Sequence, residues 1–90
     1  MEKYCRNSQI IDGELEDSQV MMHLEKGKYF GLNPVGKRIW DLIQQPKGFD
    51  EIVENLLNEF NVEKERCEVE VKSFLDNAIQ NEVIEKRQLD

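Results

Sequence analysis

The chain is 90 residues long and carries 12 Lys and Arg against 19 Asp and Glu, a net charge of −7, with 39% hydrophobic residues. A single domain of this size buries only about 60–65% of its unfolded surface, so its core is thin and there is little room for a deep catalytic cleft. The acidity argues against nucleic acid as a partner, because phosphate binding needs clustered Lys and Arg.

No apolar run approaches the roughly 20 residues of a membrane span, and MEKYCRNSQ has no apolar stretch of the kind a secretory signal requires. The expectation is a cytoplasmic domain without a membrane partner, its two cysteines, Cys5 and Cys67, held as reduced thiols. Residues 1–8 read as a flexible lead-in, 9–84 as the domain and 85–90 as a tail.

The hydrophobic pattern switches once, from short strand-like runs before Leu32 to helical spacing after Pro34. Ile10, Ile11 and Leu15 mark a weak first strand, interrupted by the turn-like Asp12-Gly13. Glu16-Asp17-Ser18 makes a polar turn. Gln19 to Leu24 is a stronger strand, with Val20, Met22 and Leu24 on one face and Met21 and His23 on the other. Glu25-Lys26-Gly27 is a tight connection in which Gly27 supplies positive φ. Lys28 to Leu32 forms the third strand, rich in aromatic β-propensity, with Phe30 and Leu32 sharing a face.

Asn33-Pro34 is the clearest boundary. The Asn side chain caps a helix start, and Pro at the first helical position gives up no needed N–H. The first helix then carries Val35, Ile39, Trp40 and Ile43 inward and stops before the loop Pro46-Lys47-Gly48. Phe49, Ile52, Val53, Leu56, Leu57 and Phe60 form the stripe of a second amphipathic helix, with Asn61 as a left-handed stop. The third helix, about Glu63 to Gln80, turns Cys67, Val71, Phe74, Leu75, Ala78 and Ile79 to one side. Asn81 ends it, and Val83 and Ile84 pack back. The fold class is α+β, winged-helix-like: a three-stranded antiparallel sheet followed by three helices.

Several motifs dissolve on inspection. Gly31 to Lys37 matches the first seven positions of a phosphate-binding P-loop, but Arg38 stands where the metal-binding Ser or Thr belongs, and Pro34 removes a backbone donor. Gly36 reads instead as a small residue allowing close helix packing, and Lys37 and Arg38 as solvated. His23, the single histidine, has no zinc-ligand spacing with Cys5 and Cys67. Cys67 falls on the apolar stripe of the third helix, where a buried thiol is the ordinary explanation. Glu51, Glu54, Glu59, Glu63, Glu65, Glu68 and Glu70 make a solvated face. No catalytic constellation and no cofactor are expected. One feature points outward: the third strand is a sheet edge, and its unpaired N–H and C=O groups offer a place for an incoming peptide strand.

Lys28-Tyr-Phe-Gly-Leu-Asn-Pro-Val-Gly36, followed by Ile39-Trp40, resembles the signature of the PqqD-like family, small leader-recognition domains of pathways that make ribosomal, post-translationally modified peptides (RiPPs). The similarity spans about residues 9–84 and takes in the Gly27 hairpin, Phe49 to Val53 and Glu70 to Leu75. It is closer to stand-alone proteins of lasso-peptide clusters than to the founding member from pyrroloquinoline quinone synthesis, which lacks this Asn-Pro. Glu70 stands where lasso-type relatives often carry Asp, and Asn81 replaces a usual Gly.

The resemblance implies a non-catalytic module. The leader of a precursor peptide would add as a strand to the edge Lys28, Tyr29, Phe30, Gly31 and Leu32, in a groove against the third helix, for presentation to a leader protease, a cyclase or a radical SAM maturation enzyme. The pocket expected there has Tyr29, Gly31, Val71, Phe74 and Leu75 as walls, with Cys67 among the contacts and Glu70, Ser73 and Asn77 at the rim. Helical spacing leaves open which of Val71, Phe74 and Leu75 faces the groove. A monomer or weak homodimer is expected. The competing readings are a winged-helix DNA-binding regulator, whose recognition helix would have to be one of the acidic helices, and an enzyme or metalloprotein built on Cys67 and His23.

Overall fold

The computed structural model describes residues 1–15 and 18–89. The chain runs β1 (Glu2–Arg6), β2 (Ile10–Leu15), β3 (Ser18–His23), β4 (Tyr29–Gly31), α1 (Pro34–Leu42), α2 (Phe49–Glu59), α3 (Lys64–Gln80) and β5 (Ile84–Gln88). Strands β2, β3 and β4 form an antiparallel meander, and β1 pairs with β5 in a second, two-stranded sheet. The α+β class with a three-stranded sheet and three helices is the one the sequence pattern indicates.

Local chemistry sets most boundaries. Asn33 accepts the Gly36 N–H on its side-chain oxygen at 2.7 Å, and Pro34 opens α1. At the start of α2, Glu51 accepts the Gly48 N–H at 3.1 Å, fixing the turn of chain that leads into the helix. Between β3 and β4, Gly27 adopts φ +63° and donates to the His23 carbonyl at 2.8 Å. α3 closes with paired backbone bonds, Glu82 N–H to the Ile79 carbonyl at 3.0 Å and Val83 N–H to the Ala78 carbonyl at 2.9 Å. That is a Schellman end, and Glu82 takes its left-handed position at φ +60°.

The core is assembled from the expected helical stripes. Ile39, Trp40 and Ile43 of the α1 region, Ile52, Val53 and Leu56 of α2, and Cys67, Val71, Leu75 and Ala78 of α3 are buried with Met21, Val83 and Ile84. Met21 and His23 of β3 face inward and are buried, whereas Leu24 is exposed in the turn.

Three expectations are corrected. Asp12-Gly13 makes no turn: Asp12 lies opposite Met21 and Gly13 opposite Val20, so pairing with β3 keeps the dipeptide extended. Asn61 is not left-handed; among the described residues only Gly27 and Glu82 have positive φ, and Phe60 ends α2 in an extended conformation. The termini are not a loose lead-in and tail: β1 runs from opposite Gln88 at Glu2 to opposite Ile84 at Arg6, and Tyr4 is buried. Tyr4 also exchanges backbone bonds with Lys47, at 2.7 and 3.2 Å. Arg6 ties β1 to α1, donating to the Trp40 carbonyl from Nε at 3.0 Å and Nη2 at 2.6 Å, with its guanidinium 4.3 Å from the Trp40 ring centre. The expected polar turn at Glu16-Asp17 lies outside the described residues.

Candidate peptide-binding groove

Strand β4 is an edge: β3 flanks one side, and among the described residues no strand pairs with the other. His23 donates its N–H to the Lys28 carbonyl at 3.0 Å, and Met21 lies opposite Phe30. Antiparallel pairs alternate between bonded and non-bonded, so the N–H and C=O groups of Tyr29 and Gly31 point to the open side.

Beside that edge lies an open cavity of about 680 Å³. Phe30 and Gly31 of β4, Asn33 to Gly36 at the start of α1, and Val69, Glu70, Ser73, Phe74 and Asn77 of α3 line it. The α3 residues fall at spacings of three and four, one face of a helix, next to the stripe of Cys67, Val71, Leu75 and Ala78 that enters the core. Phe74 stands between the two stripes. Its ring meets Phe30 edge-on, with centroids 6.2 Å apart and planes at 68°. A Cβ on Gly36 would lie 2.7 Å from Phe74 Cε1, so this glycine lets α1 close on α3 and form the groove floor.

The sequence-derived residues separate accordingly. Phe30, Gly31, Glu70, Ser73, Phe74 and Asn77 come together at the cavity. Val71 and Leu75 are core residues, and Leu32 is half-buried against the core. Tyr29 is 65% exposed on the edge strand, and Lys28 is exposed before it. Cys67 and Val71 border a second cavity of about 220 Å³ with Leu56, Phe60 and Val62, which shares Val35 and Glu70 with the first. Asn33, Pro34, Val35, Gly36 and Val69 were not anticipated as lining. Val69 carried a signal: a large apolar residue, 69% exposed, out of phase with the core stripe of an otherwise charged helix.

Burial pushes the Cys67 thiol pKa up, and the nearby carboxylates of Glu70 and Glu68 push it further, so the thiol stays protonated at neutral pH. Glu70 pairs with Arg66 at 3.3 Å across one helical turn. His23 accepts the Lys26 N–H at Nδ1, 3.3 Å away, and lines a different cavity from Cys67. Among the described residues no cluster of His, Cys, Asp and Glu has the arrangement to hold a metal ion, and no helix is long and apolar enough to cross a membrane. The P-loop-like stretch places Gly36 N–H on Asn33, and Arg38 pairs with Glu59 at 2.6 Å.

Solved structures share this architecture. TbiB1, determined in complex with the TbiA(beta) leader peptide, is 31% identical, with a TM-score of 0.80 over 96% of this chain and 99% of that one. A lasso peptide synthetase B1 complexed with the leader peptide matches in fold, at 16% identity and a TM-score of 0.79 over 91% of this chain and 96% of that one. No curated protein matches the sequence. Residues 18–84 match the family of coenzyme PQQ synthesis protein D, PqqD, and this stretch holds the edge strand, all three helices and every residue lining the groove, so the chain belongs to the PqqD family.

Proposed function

We propose that this chain is a non-catalytic binding module that captures the leader of a ribosomal precursor peptide. The leader adds as a strand along β4, lies in the groove against α3, and is presented to a leader protease or a modifying enzyme such as a cyclase or radical SAM protein. The observation that carries the proposal is the juxtaposition of a strand edge, unpaired among the described residues, with a cavity whose apolar side chains, Phe30, Val35, Val69 and Phe74, stand beside polar Asn33, Glu70, Ser73 and Asn77. The likeness to TbiB1, itself solved with a leader peptide, supports it.

Magnitudes indicate where the affinity resides. Four backbone groups on Tyr29 and Gly31 face the open side, and each hydrogen bond nets about 0.5–1.5 kcal/mol. Ordering each peptide residue costs about 1–2 kcal/mol, so strand addition alone is close to break-even. Binding therefore depends on leader side chains buried against Phe30, Val35 and Phe74, at about 1.5–3 kcal/mol for each large apolar one. The acidic chain favours a leader with basic residues beside those anchors.

The test is calorimetry with a synthetic leader from the precursor gene beside this chain's own. Alanine at each apolar anchor of that leader is expected to weaken binding at least tenfold. Unchanged affinity across the alanine series would defeat the groove as the source of binding.

A further inference from the structure

The two-stranded sheet has an open edge of its own. Tyr4 exchanges backbone bonds with Lys47, on the side of β1 away from β5. Tyr4 lies opposite Lys86, so that pair is a non-bonded one, and Lys3–Arg87 and Cys5–Glu85 are the bonded pairs that join the strands. The Asn7 N–H to the Val83 carbonyl at 3.1 Å and the Leu89 N–H to the Met1 carbonyl at 2.8 Å continue the same alternation. The N–H and C=O groups of Ile84, Lys86 and Gln88 therefore point away from β1, and among the described residues no strand pairs with them.

This edge suits a partner that is already a strand. Beyond buried Ile84, β5 is polar and mostly exposed, so an unstructured peptide gains little apolar burial there to offset the cost of ordering it. A second copy brings a strand ordered in advance, and that cost falls away. The acidic excess of the chain, net −7, lies outside this sheet, whose strands hold four basic and two acidic residues.

Charge then selects the register. Pairing β5 with its own copy about a two-fold axis keeps the outward groups in phase when the axis passes through Glu85, Lys86 or Arg87. An axis at Glu85 sets Glu against Glu, and one at Arg87 sets Arg against Arg, both unfavourable. With the axis at Lys86, Ile84 lies opposite Gln88 and each Glu85 lies opposite the other copy's Arg87. Glu85 and Arg87 already pair within the chain at 2.6 Å, so two Glu and two Arg side chains alternate around the axis. The two Lys86 side chains meet on the other face, each with Glu2 of its own chain at 3.8 Å.

We infer that the β5 edge pairs with the same edge of a second copy, Lys86 on the axis, giving a four-stranded sheet in the order β1-β5-β5-β1. Five residues a side fall short of the ~800 Å² per partner of a standard interface, so the dimer is weak and depends on concentration. The β4 edge belongs to the other sheet and stays open to a peptide in each copy.

Sedimentation equilibrium at low salt, up to about 1 mM chain, tests the pairing. The wild-type chain is expected to show a monomer–dimer equilibrium. Glu85→Arg alone sets Arg against Arg, Arg87→Glu alone sets Glu against Glu, and each is expected to weaken self-association at least tenfold. An equimolar mixture of the two variants restores opposite charges and is expected to associate within about threefold of wild type. A wild-type chain that stays monomeric throughout would overturn the inference. So would a dimer that neither reversal weakens, or a mixture that associates no better than its components. A wild-type dimer that the synthetic leader dissociates would place the contact at β4 and overturn it equally.

Discussion

Replacing Gly36 with alanine should separate folding from peptide binding. The new methyl would lie 2.7 Å from Phe74 Cε1 and 3.1 Å from Asn33 Oδ1. Alanine improves the helix by about 0.8–1 kcal/mol over glycine. Against that gain, the Phe74 ring must leave its edge-on contact with Phe30, worth about 0.5–1.5 kcal/mol, and the Asn33 cap is crowded. The losses exceed the gain by about 1 kcal/mol, or 4–8 °C in Tm for a domain of this size. Phe74 lines the cavity, so a ring displaced into it takes the space of one apolar anchor worth about 1.5–3 kcal/mol. Gly36→Ala is therefore expected to fold, melt within about 8 °C of wild type, and bind the leader at least tenfold more weakly in calorimetry. A folded variant with leader affinity within twofold of wild type would refute the assignment of the groove.

Four further outcomes follow from particular contacts. Gly31→Pro removes an N–H that faces the open edge while sparing the β3 pairing, so it should cut leader affinity several-fold with Tm largely kept; fluorescence anisotropy with labelled leader reports it. Arg6→Lys loses the two-pronged bond to the Trp40 carbonyl and most of the ring contact, and urea unfolding should show a loss of about 1–2 kcal/mol. Glu82→Gly relieves the left-handed strain at the end of α3, and the gain outweighs the added flexibility of the unfolded chain and the lost exposed ion pair with Lys26. A rise of about 0.5–1 kcal/mol is expected, seen as a higher Tm. Cys67 titrates above the ordinary thiol value of about 8.5, so the unfolded chain loses that proton first as pH rises. Its contribution to stability is complete below pH about 8.5 and is lost as pH climbs toward the folded-state value; alkaline melting curves should therefore fall less steeply in Cys67→Ala.

The helices were legible because each carries a one-sided apolar stripe and a boundary with its own chemistry, as at Asn33-Pro34 and Gly48-Phe49. The β1–β5 sheet was not. Its strands are mostly polar, Tyr4 is the one buried side chain of β1, and the pairing joins residues more than 75 positions apart through contacts no local pattern records. Asp12-Gly13 misled because turn propensity yields to strand register when a partner such as β3 is present. Within the site, the strand edge and Phe74 were visible in sequence. Their partition was hidden, because groove and core stripes of α3 are neighbours on one helix, and only the position of α1 decides that Phe74 meets Gly36 while Val71 and Leu75 go inward.

Amide hydrogen exchange at Tyr29 and Gly31, with and without the synthetic leader, tests strand addition most directly. Both amides are expected to exchange quickly in the free chain and to slow at least tenfold when leader is bound, with smaller changes in β1 and β5. Saturating leader that leaves these two amides exchanging as before would mean that the peptide binds by some route other than the β4 edge.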